Sequence, residues 1–401
     1  MNRSFWPDLE ATGQFLTELC EDLSAENEIT FIAGPSYHAG QSPRGPWRRE
    51  RMGTVEIIRT WGTRLPKRRL ALRIINLGTY FALAAAAALR LKPPEVVIAE
   101  TDPPLLGALG AILKRRWGCR LIYNVRDLYP DIAQATGGVK NSLLLRILER
   151  GNRMAYESAD RVIVLGEDMA GRVIAKGVAP ERVTIVPDWV DCQRIRPLES
   201  NPFRTEFGDR FVVMYSGNLG LSQQLDMVLD AADRLRDDKR IIFVLIGAGA
   251  RRDWLVERAR KLGLPNVMFL PYRPKEKLAE SLSAADLHLI PLSAGTAGCL
   301  VPSKIYGILA AGRPFVAIME EFAEVARIAR DHAVGFVSPP GDAEAMVRIV
   351  RAAVSAPAEL KMMGKRARRL AEAKFDRAIV TRRFGEVLAE TVETNDYAAG
   401  K

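Results

Sequence analysis

The chain has 401 residues, 48% apolar and 26% charged, which suits two or three globular domains and excludes collagen-like, low-complexity and wholly disordered chains. Its 58 Lys+Arg against 48 Asp+Glu give a formal charge of +10, so an anionic partner is expected: nucleic acid, an acidic membrane surface or a phosphorylated small molecule. Four scattered cysteines without a CxxC pair, three unclustered histidines and no apolar leader after Met1 argue for a reducing cytosol and against a disulfide framework, a metal site, a Ser-His-Asp hydrolase or a secreted protein.

The chain opens unusually. A doubly wound domain starts with a buried strand whose first turn faces the ligand, yet residues 1–8 (MNRSFWPD) run almost directly into a loop and a helix expected over 14–23. Either the sequence begins inside its first strand, or this domain lacks that strand. Apolar β-branched runs follow at 29–33, 96–99, 121–125, 161–165 and 183–186, each trailed by a helical pattern. After the first of these lies a basic segment: 44–73 carries ten Lys/Arg against Glu50 and Glu56, a local excess of +8, with Trp47 and Trp61 interleaved. The apolar run 74–89 comes next. It is too short to span a bilayer, contains Asn76 and Gly78, and reads as a buried or interfacial helix. Cations and tryptophans beside an apolar helix fit an anionic membrane surface, bound peripherally through 44–73 and helix 74–89. No nucleic-acid motif accompanies the patch, so nucleic acid is set aside as a partner. A solvated charged loop is the plain alternative.

A polar, proline-bounded stretch at 187–202 (PDWVDCQRIRPLESNP) reads as a linker. Beyond it, strands are expected at 211–216, 241–246, 267–270, 287–290 and 315–318, again alternating with helices. The fold class is therefore α/β, with two doubly wound parallel-sheet domains, 1–190 and 191–375. A helix over 376–391 and a frayed tail close the chain.

The second series carries the chemistry. MYSGNLG (214–220) lies between a strand and a helix expected over 224–235, and Gly217, Asn218 and Gly220 there let backbone N–H groups approach a phosphate. LIGAG (245–249) closes the next strand in the same manner, with Gly249 followed closely by Arg251 and Arg252. The stretch GTAGCLVPSKIYGILAAGRP (295–314) places Gly298 in a small-residue loop and Ser303 and Lys304 at a helix start. A cation at a helix start is electrostatically misplaced, which favours a diphosphate-binding function for Lys304 over a structural one.

These segments resemble the GT-B glycosyltransferases of family 4, the retaining enzymes of bacterial surface polysaccharide assembly. RSFWPDLEATGQFLTELCEDL, TDPPLLGALGAIL, YNVRDLYPDIA and VIVLGEDM…VTIVPDWVD resemble the acceptor-side domain. MYSGNLG, LIGAG and VPSKIYGILAAGRP resemble the donor domain, the last being the most specific and similar to colanic-acid and O-antigen transferases. The resemblance implies two Rossmann-like domains facing a cleft, with the final helix crossing back to the first. It implies a nucleotide-sugar donor, a lipid-linked (polyprenyl-diphosphate) saccharide acceptor, no cofactor or metal, and a peripheral place on the inner face of the cell membrane.

It assigns Gly217 to phosphate approach, Tyr272 and Arg273 to the nucleotide base, Gly13 and the adjoining Gln14 to the acceptor side, and Asp127 to the acceptor hydroxyl. The chain departs from the pattern at Asn218 and Gln223, where the family has Arg and Lys, and at Cys299 and Gly307, where it has a glutamate pair. Lys304 and Arg251 are left as the cations for the diphosphate. A catalytically silent partner of a membrane synthase and a non-hydrolysing nucleotide-sugar epimerase are the alternatives.

Overall fold

The computed structural model describes residues 1–8, 10–36, 45–65, 70–137, 142–198, 200–220 and 223–393. The chain divides into two compact units, Met1–Pro187 with Val380–Lys401, and Asp188–Ile379.

In the first unit the strands are β1 (Thr30–Ala33), β2 (Trp47–Met52), β3 (Val55–Thr60), β4 (Val96–Ala99), β5 (Arg120–Val125), β6 (Arg161–Val164) and β7 (Val183–Ile185). They form two ladders, β1-β3-β2 and β4-β5-β6-β7. Residues 1–3 run between these ladders. Asn2 N–H donates to Ile32 O at 3.2 Å and Gly34 N–H to Arg3 O at 2.9 Å on one side. On the other side Arg3 N–H donates to Asp102 O at 2.9 Å and Glu100 N–H to Met1 O at 3.2 Å. The helix Ala11–Leu23 follows, and Gly385 of the closing helix Arg377–Glu393 approaches it: a Cβ there would stand 3.2 Å from Leu23 Cδ2.

The basic segment departs from the sequence expectation. Its middle is a hairpin, β2 antiparallel to β3, closed by the two-residue turn Gly53-Thr54, with Gly53 at φ 57° as a type II′ turn requires. β3 also pairs in parallel with β1. Both carboxylates of the segment are consumed internally: Glu50 pairs with Arg48 and Arg59, and Glu56 pairs with Arg49. Arg59 is fully buried and donates to both Glu50 oxygens, at 3.1 and 3.0 Å, to Gly34 O at 3.2 Å and to Trp6 O. Its charge therefore builds the fold and is not offered to a surface. Arg44, Lys67, Arg68 and Arg69 lie outside the described residues.

The apolar run forms the helix Leu70–Ala88, with one face buried and the other exposed. Asn76, Tyr80, Ala84, Ala87 and Ala88 are buried, the helix lying on β1 and β3, and Tyr80 Oη donates to Ile32 O. Arg73, Ile74, Ile75, Gly78 and Ala82 face outward. Among the described residues no helix is long and apolar enough to cross a membrane.

The second unit has one six-stranded parallel sheet in the order β10-β9-β8-β11-β12-β13. These strands are β8 (Phe211–Ser216), β9 (Ile241–Ile246), β10 (Val267–Leu270), β11 (Leu287–Pro291), β12 (Phe315–Ile318) and β13 (Gly335–Ser338). Both faces are covered, which explains why the strands read as continuous apolar runs. Val213 and Tyr215 of β8 enter one core with Leu229 and Met346, while Val212 and Met214 enter another with Phe203 and Ala284. β13 had no apolar signal beyond Phe336 and Val337. The order reverses between β8 and β11, so the carboxyl ends of those two strands flank the crevice where ligands bind in open parallel sheets. The stretch expected to be a linker is held firmly from Asp188 on. Val190 N–H donates to Phe375 O, and Arg368 donates to Cys192 O and Ile195 O.

Removing Arg59 leaves Glu50 short of its buried partner, so Arg59→Leu should lower the unfolding free energy by about 3–5 kcal/mol. Arg49→Gln removes a partner 68% exposed and should change it by less than about 1 kcal/mol. Denaturant titration followed by circular dichroism checks the contrast; equal effects would contradict it.

Candidate active site

The glycine turns of the second unit meet through their backbones. Gly217 N–H donates to Ile246 O at 3.0 Å, Leu219 N–H to Ala248 O at 2.9 Å, and Arg251 N–H back to Leu219 O at 2.9 Å. The turns after β8 and β9 are thus fastened together beyond the ends of the strands. The approach is so close that a Cβ at position 247 would lie 2.0 Å from Gly217 O, and one at 249 would lie 2.5 Å from Leu219 O. Only glycine fits at either position. Tyr215 Oη donates to Asn218 O at 2.8 Å and fixes the crest of the first turn, leaving the Asn218 side chain exposed. Gly220 N–H is taken by Gln223 Oε1 at 3.2 Å.

Lys304 opens the helix Lys304–Ala310 after the loop that leaves β11. Its Nζ lies 4.1 Å from the Tyr215 ring centroid, a cation–π contact, and 2.9 Å from where a Cβ on Gly217 would be. Among the described residues it makes no ion pair. Burial pushes its pKa down to about 7, with no opposing charge to hold it up. An amine this close to the Gly217 turn, at the strand-order reversal and with no ion pair among the described residues, has the chemistry to pair with an anion. Gly298, at φ 73°, shapes the loop leading to it, and Ser303 precedes it at the helix start, half-buried.

Other expected donor residues fall differently. Tyr272 reaches the turns: its Cε1 stands 3.5 Å from the Cβ position of Gly247, and its phenol bonds to the Ala248 backbone. Arg251 does not offer its charge. It is locked to Asp226 by two bonds, at 2.8 and 3.0 Å, and lies 4.1 Å over the Trp254 ring. Asp226, which also accepts from Arg258, is a residue that sequence reasoning missed, because a pair 25 positions apart leaves no local pattern. Arg273 likewise turns to Phe203, 3.9 Å from its ring centroid, and to Glu280 at 3.7 Å. The positions where the family carries glutamates are closed here: Cys299 is fully buried, and a Cβ on Gly307 would meet Leu282 at 3.1 Å. Among the described residues no group of three His, Cys, Asp or Glu is placed to hold a metal.

In the first unit Gly13 packs so closely that a Cβ would lie 2.8 Å from Ser4 Oγ. Gln14 follows it, its N–H bonded to Glu10 O at 3.1 Å. Arg126 lies 5.2 Å over the Phe15 ring, which brings this helix start to the turn after β5. There Asp127 N–H donates to Thr101 Oγ1 at 3.2 Å. The Tyr129 phenol, another residue missed from sequence, is half-buried, and its pKa is raised first by desolvation and then by the charges of Asp127 and Asp102. Gly13, Gln14 and Asp127 thus belong to one edge of the first unit's sheets.

Residues 11–189 match the family described as glycosyl transferase 4-like domain, and residues 199–370 match the glycosyl transferases group 1. The putative colanic acid biosynthesis glycosyl transferase WcaI of Escherichia coli (strain K12) is 28% identical over 403 residues, covering 95% of this chain and 97% of that protein. Sucrose-phosphate synthase from Thermosynechococcus elongatus has a similar structure, with a TM-score of 0.77 at 16% identity over 96% of this chain and 94% of that one. So does Anabaena Alr3699/HepE in complex with UDP-glucose, with a TM-score of 0.69 at 16% identity over 97% and 98%. Two family domains in sequence, two parallel-sheet units and glycine turns at the reversal of strand order agree: the chain is a glycosyltransferase of the GT-B fold, family 4.

Proposed function

We propose that this glycosyltransferase moves a hexosyl or N-acetylhexosaminyl residue from a UDP-sugar, with retention and without a metal, onto a lipid-linked saccharide in bacterial surface polysaccharide assembly. The observation that carries the donor half is Lys304: a half-buried amine with no ion pair among the described residues, its Nζ 2.9 Å from where a Cβ on Gly217 would be. The UDP-glucose complex of the similarly folded HepE and the colanic acid assignment of WcaI support the choice of donor and pathway class. In the transfer, the bond between the sugar anomeric carbon and the diphosphate oxygen breaks, and the acceptor oxygen bonds to the same face. The acceptor proton passes to Asp127 or to the departing phosphate. Lys304 and the turn amides take up charge on the leaving diphosphate, and oriented donors of this kind act strongly in a dry site. An epimerase reading finds little support in the histidines. His288 is buried, bonded to Leu282 O at 2.9 Å, and held neutral with its pKa lowered to about 4, and His38 lies outside the described residues.

The depressed Lys304 pKa gives a signed test. Above pH 7 the free protein holds the amine largely neutral, whereas a bound diphosphate restores the charged form. UDP binding at pH 8 should therefore take up close to one proton, and affinity should fall as pH rises from about 7 toward the ordinary lysine value. The same group makes the free fold less stable as pH falls through that window, because the unfolded chain holds a proton that the folded chain binds only near its lowered pKa; between the folded and the ordinary value, each rise in pH recovers part of that cost. Calorimetry in buffers of different ionisation enthalpy measures the uptake. Lys304→Gln should abolish it and weaken UDP at least about 10-fold, the worth of one charge-assisted hydrogen bond. Unchanged uptake in that variant would remove Lys304 from the site.

The acceptor side is read as peripheral to the inner face of the membrane. Ile74 and Ile75 are 43% and 45% exposed on the outer face of the helix Leu70–Ala88, with Arg73 beside them. Apolar side chains with adjacent cations suit an anionic lipid surface. The chain should sediment with phosphatidylglycerol vesicles at low salt, and Ile74→Asp with Ile75→Asp should release it. Absence of vesicle binding by the unaltered chain would contradict this placement.

A further inference from the structure

One carboxylate at the ligand edge of the second unit is not used by the transfer as described. Glu320 follows β12 by two residues. Its Oε1 accepts a hydrogen bond from the Gly295 backbone N–H at 2.5 Å. Its Oε2 is shielded from solvent and has no hydrogen-bond partner, and among the described residues the side chain makes no ion pair. A shielded, unpaired carboxylate oxygen costs free energy, and folded proteins rarely keep one without a reason such as a ligand, a water or a catalytic need.

We propose that Glu320 accepts a hydrogen bond from a hydroxyl of the donor's sugar and so helps to set which sugar is transferred. This rests on the nucleotide-sugar reading above. The chemistry of the group selects its partner: an ionised carboxylate only accepts, so it takes a hydroxyl or an N–H and repels a phosphate. Its position selects which part of the donor it meets. The strand order β10-β9-β8-β11-β12 lays out, along one edge, Tyr272 after β10, Gly217 after β8, Lys304 after β11 and Glu320 after β12. Two strand spacings, roughly 10 Å, separate the ends of β8 and β12. A diphosphate held at Gly217 and Lys304, with its nucleoside toward Tyr272, therefore points its sugar toward Glu320. The bond to Gly295 ties Glu320 to the same loop that delivers Lys304, so the two groups are set together. Glu320 is half-buried and tied to Gly295 through Oε1, so Oε2 is the oxygen left for a ligand.

Glu320→Gln separates sugar recognition from loop support. Glutamine keeps a carbonyl oxygen for the Gly295 N–H but replaces the second acceptor with a donor. Calorimetry on the intact chain compares UDP with UDP-glucose, UDP-galactose and UDP-N-acetylglucosamine, taking the sugar nucleotide that the unaltered protein binds most tightly. Glu320→Gln is expected to bind UDP within about two-fold of the unaltered protein and that sugar nucleotide about five- to ten-fold more weakly, one hydrogen bond's worth. Glu320→Ala, which also loses the tie to Gly295, should weaken both ligands. If Glu320→Gln leaves the sugar nucleotide unaffected, or weakens UDP and sugar nucleotide alike, the carboxylate serves the loop only and the proposal is overturned. If the unaltered protein binds neither UDP nor any of the sugar nucleotides, the nucleotide-sugar reading itself falls, and this proposal with it.

Discussion

The carbonyl oxygen of Gly217 occupies the space where a side chain at position 247 would begin, 2.0 Å from the place of that Cβ. Everything at the ligand edge of the second unit follows from this contact between two main chains. It lets the turn after β8 lie on the turn after β9, and it turns the ladder hydrogen bonds of Gly217 and Leu219 toward Ile246 and Ala248. The crest at Asn218 is left outward, held from below by Tyr215. The Tyr215 ring then offers its face to Lys304, so one aromatic residue supports the turn with its hydroxyl and the cation with its π system. A half-buried amine with no carboxylate among the described residues is a costly arrangement, and a diphosphate is the kind of ligand that relieves it.

Several guanidiniums near the expected sites are held by partners within the fold. Arg251 and Arg258 share Asp226, Arg273 sits on Phe203, and Arg59 is enclosed with Glu50. These guanidiniums brace helices and strands; Arg251 also returns a backbone bond to Leu219 and so steadies the first glycine turn. The formal excess of +10 is therefore a poor map of where an anion binds.

Legibility in the sequence followed the physics of burial. The inner strands β8, β9 and β12 are covered on both faces and read as apolar runs, and the glycine turns after β8 and β9 stand out against them. The hairpin β2–β3 was hidden because one strand is half-exposed and carries Arg48, Arg49, Glu50 and Arg51 in succession, which reads as a charged loop. Which cations were free was not legible either. Arg251 and Lys304 look alike as residues near glycine loops, and only the fold brings Asp226 to the first and leaves the second on Tyr215. Glu320 was invisible for the same reason, since its link to Gly295 spans 25 positions across two strands.

The central claim is that the donor's diphosphate sits at the Gly217 turn, against Lys304. Gly217→Ala tests it directly: the added methyl stands 2.9 Å from Lys304 Nζ and 3.2 Å from Tyr215 Oη, and it also strains a turn whose φ of 153° L side chains rarely adopt. UDP titrated into this variant by calorimetry, with the fold verified by circular dichroism, is predicted to bind at least about 10-fold more weakly than to the unaltered chain. A folded Gly217→Ala protein that binds UDP with undiminished affinity would place the diphosphate elsewhere and contradict the account.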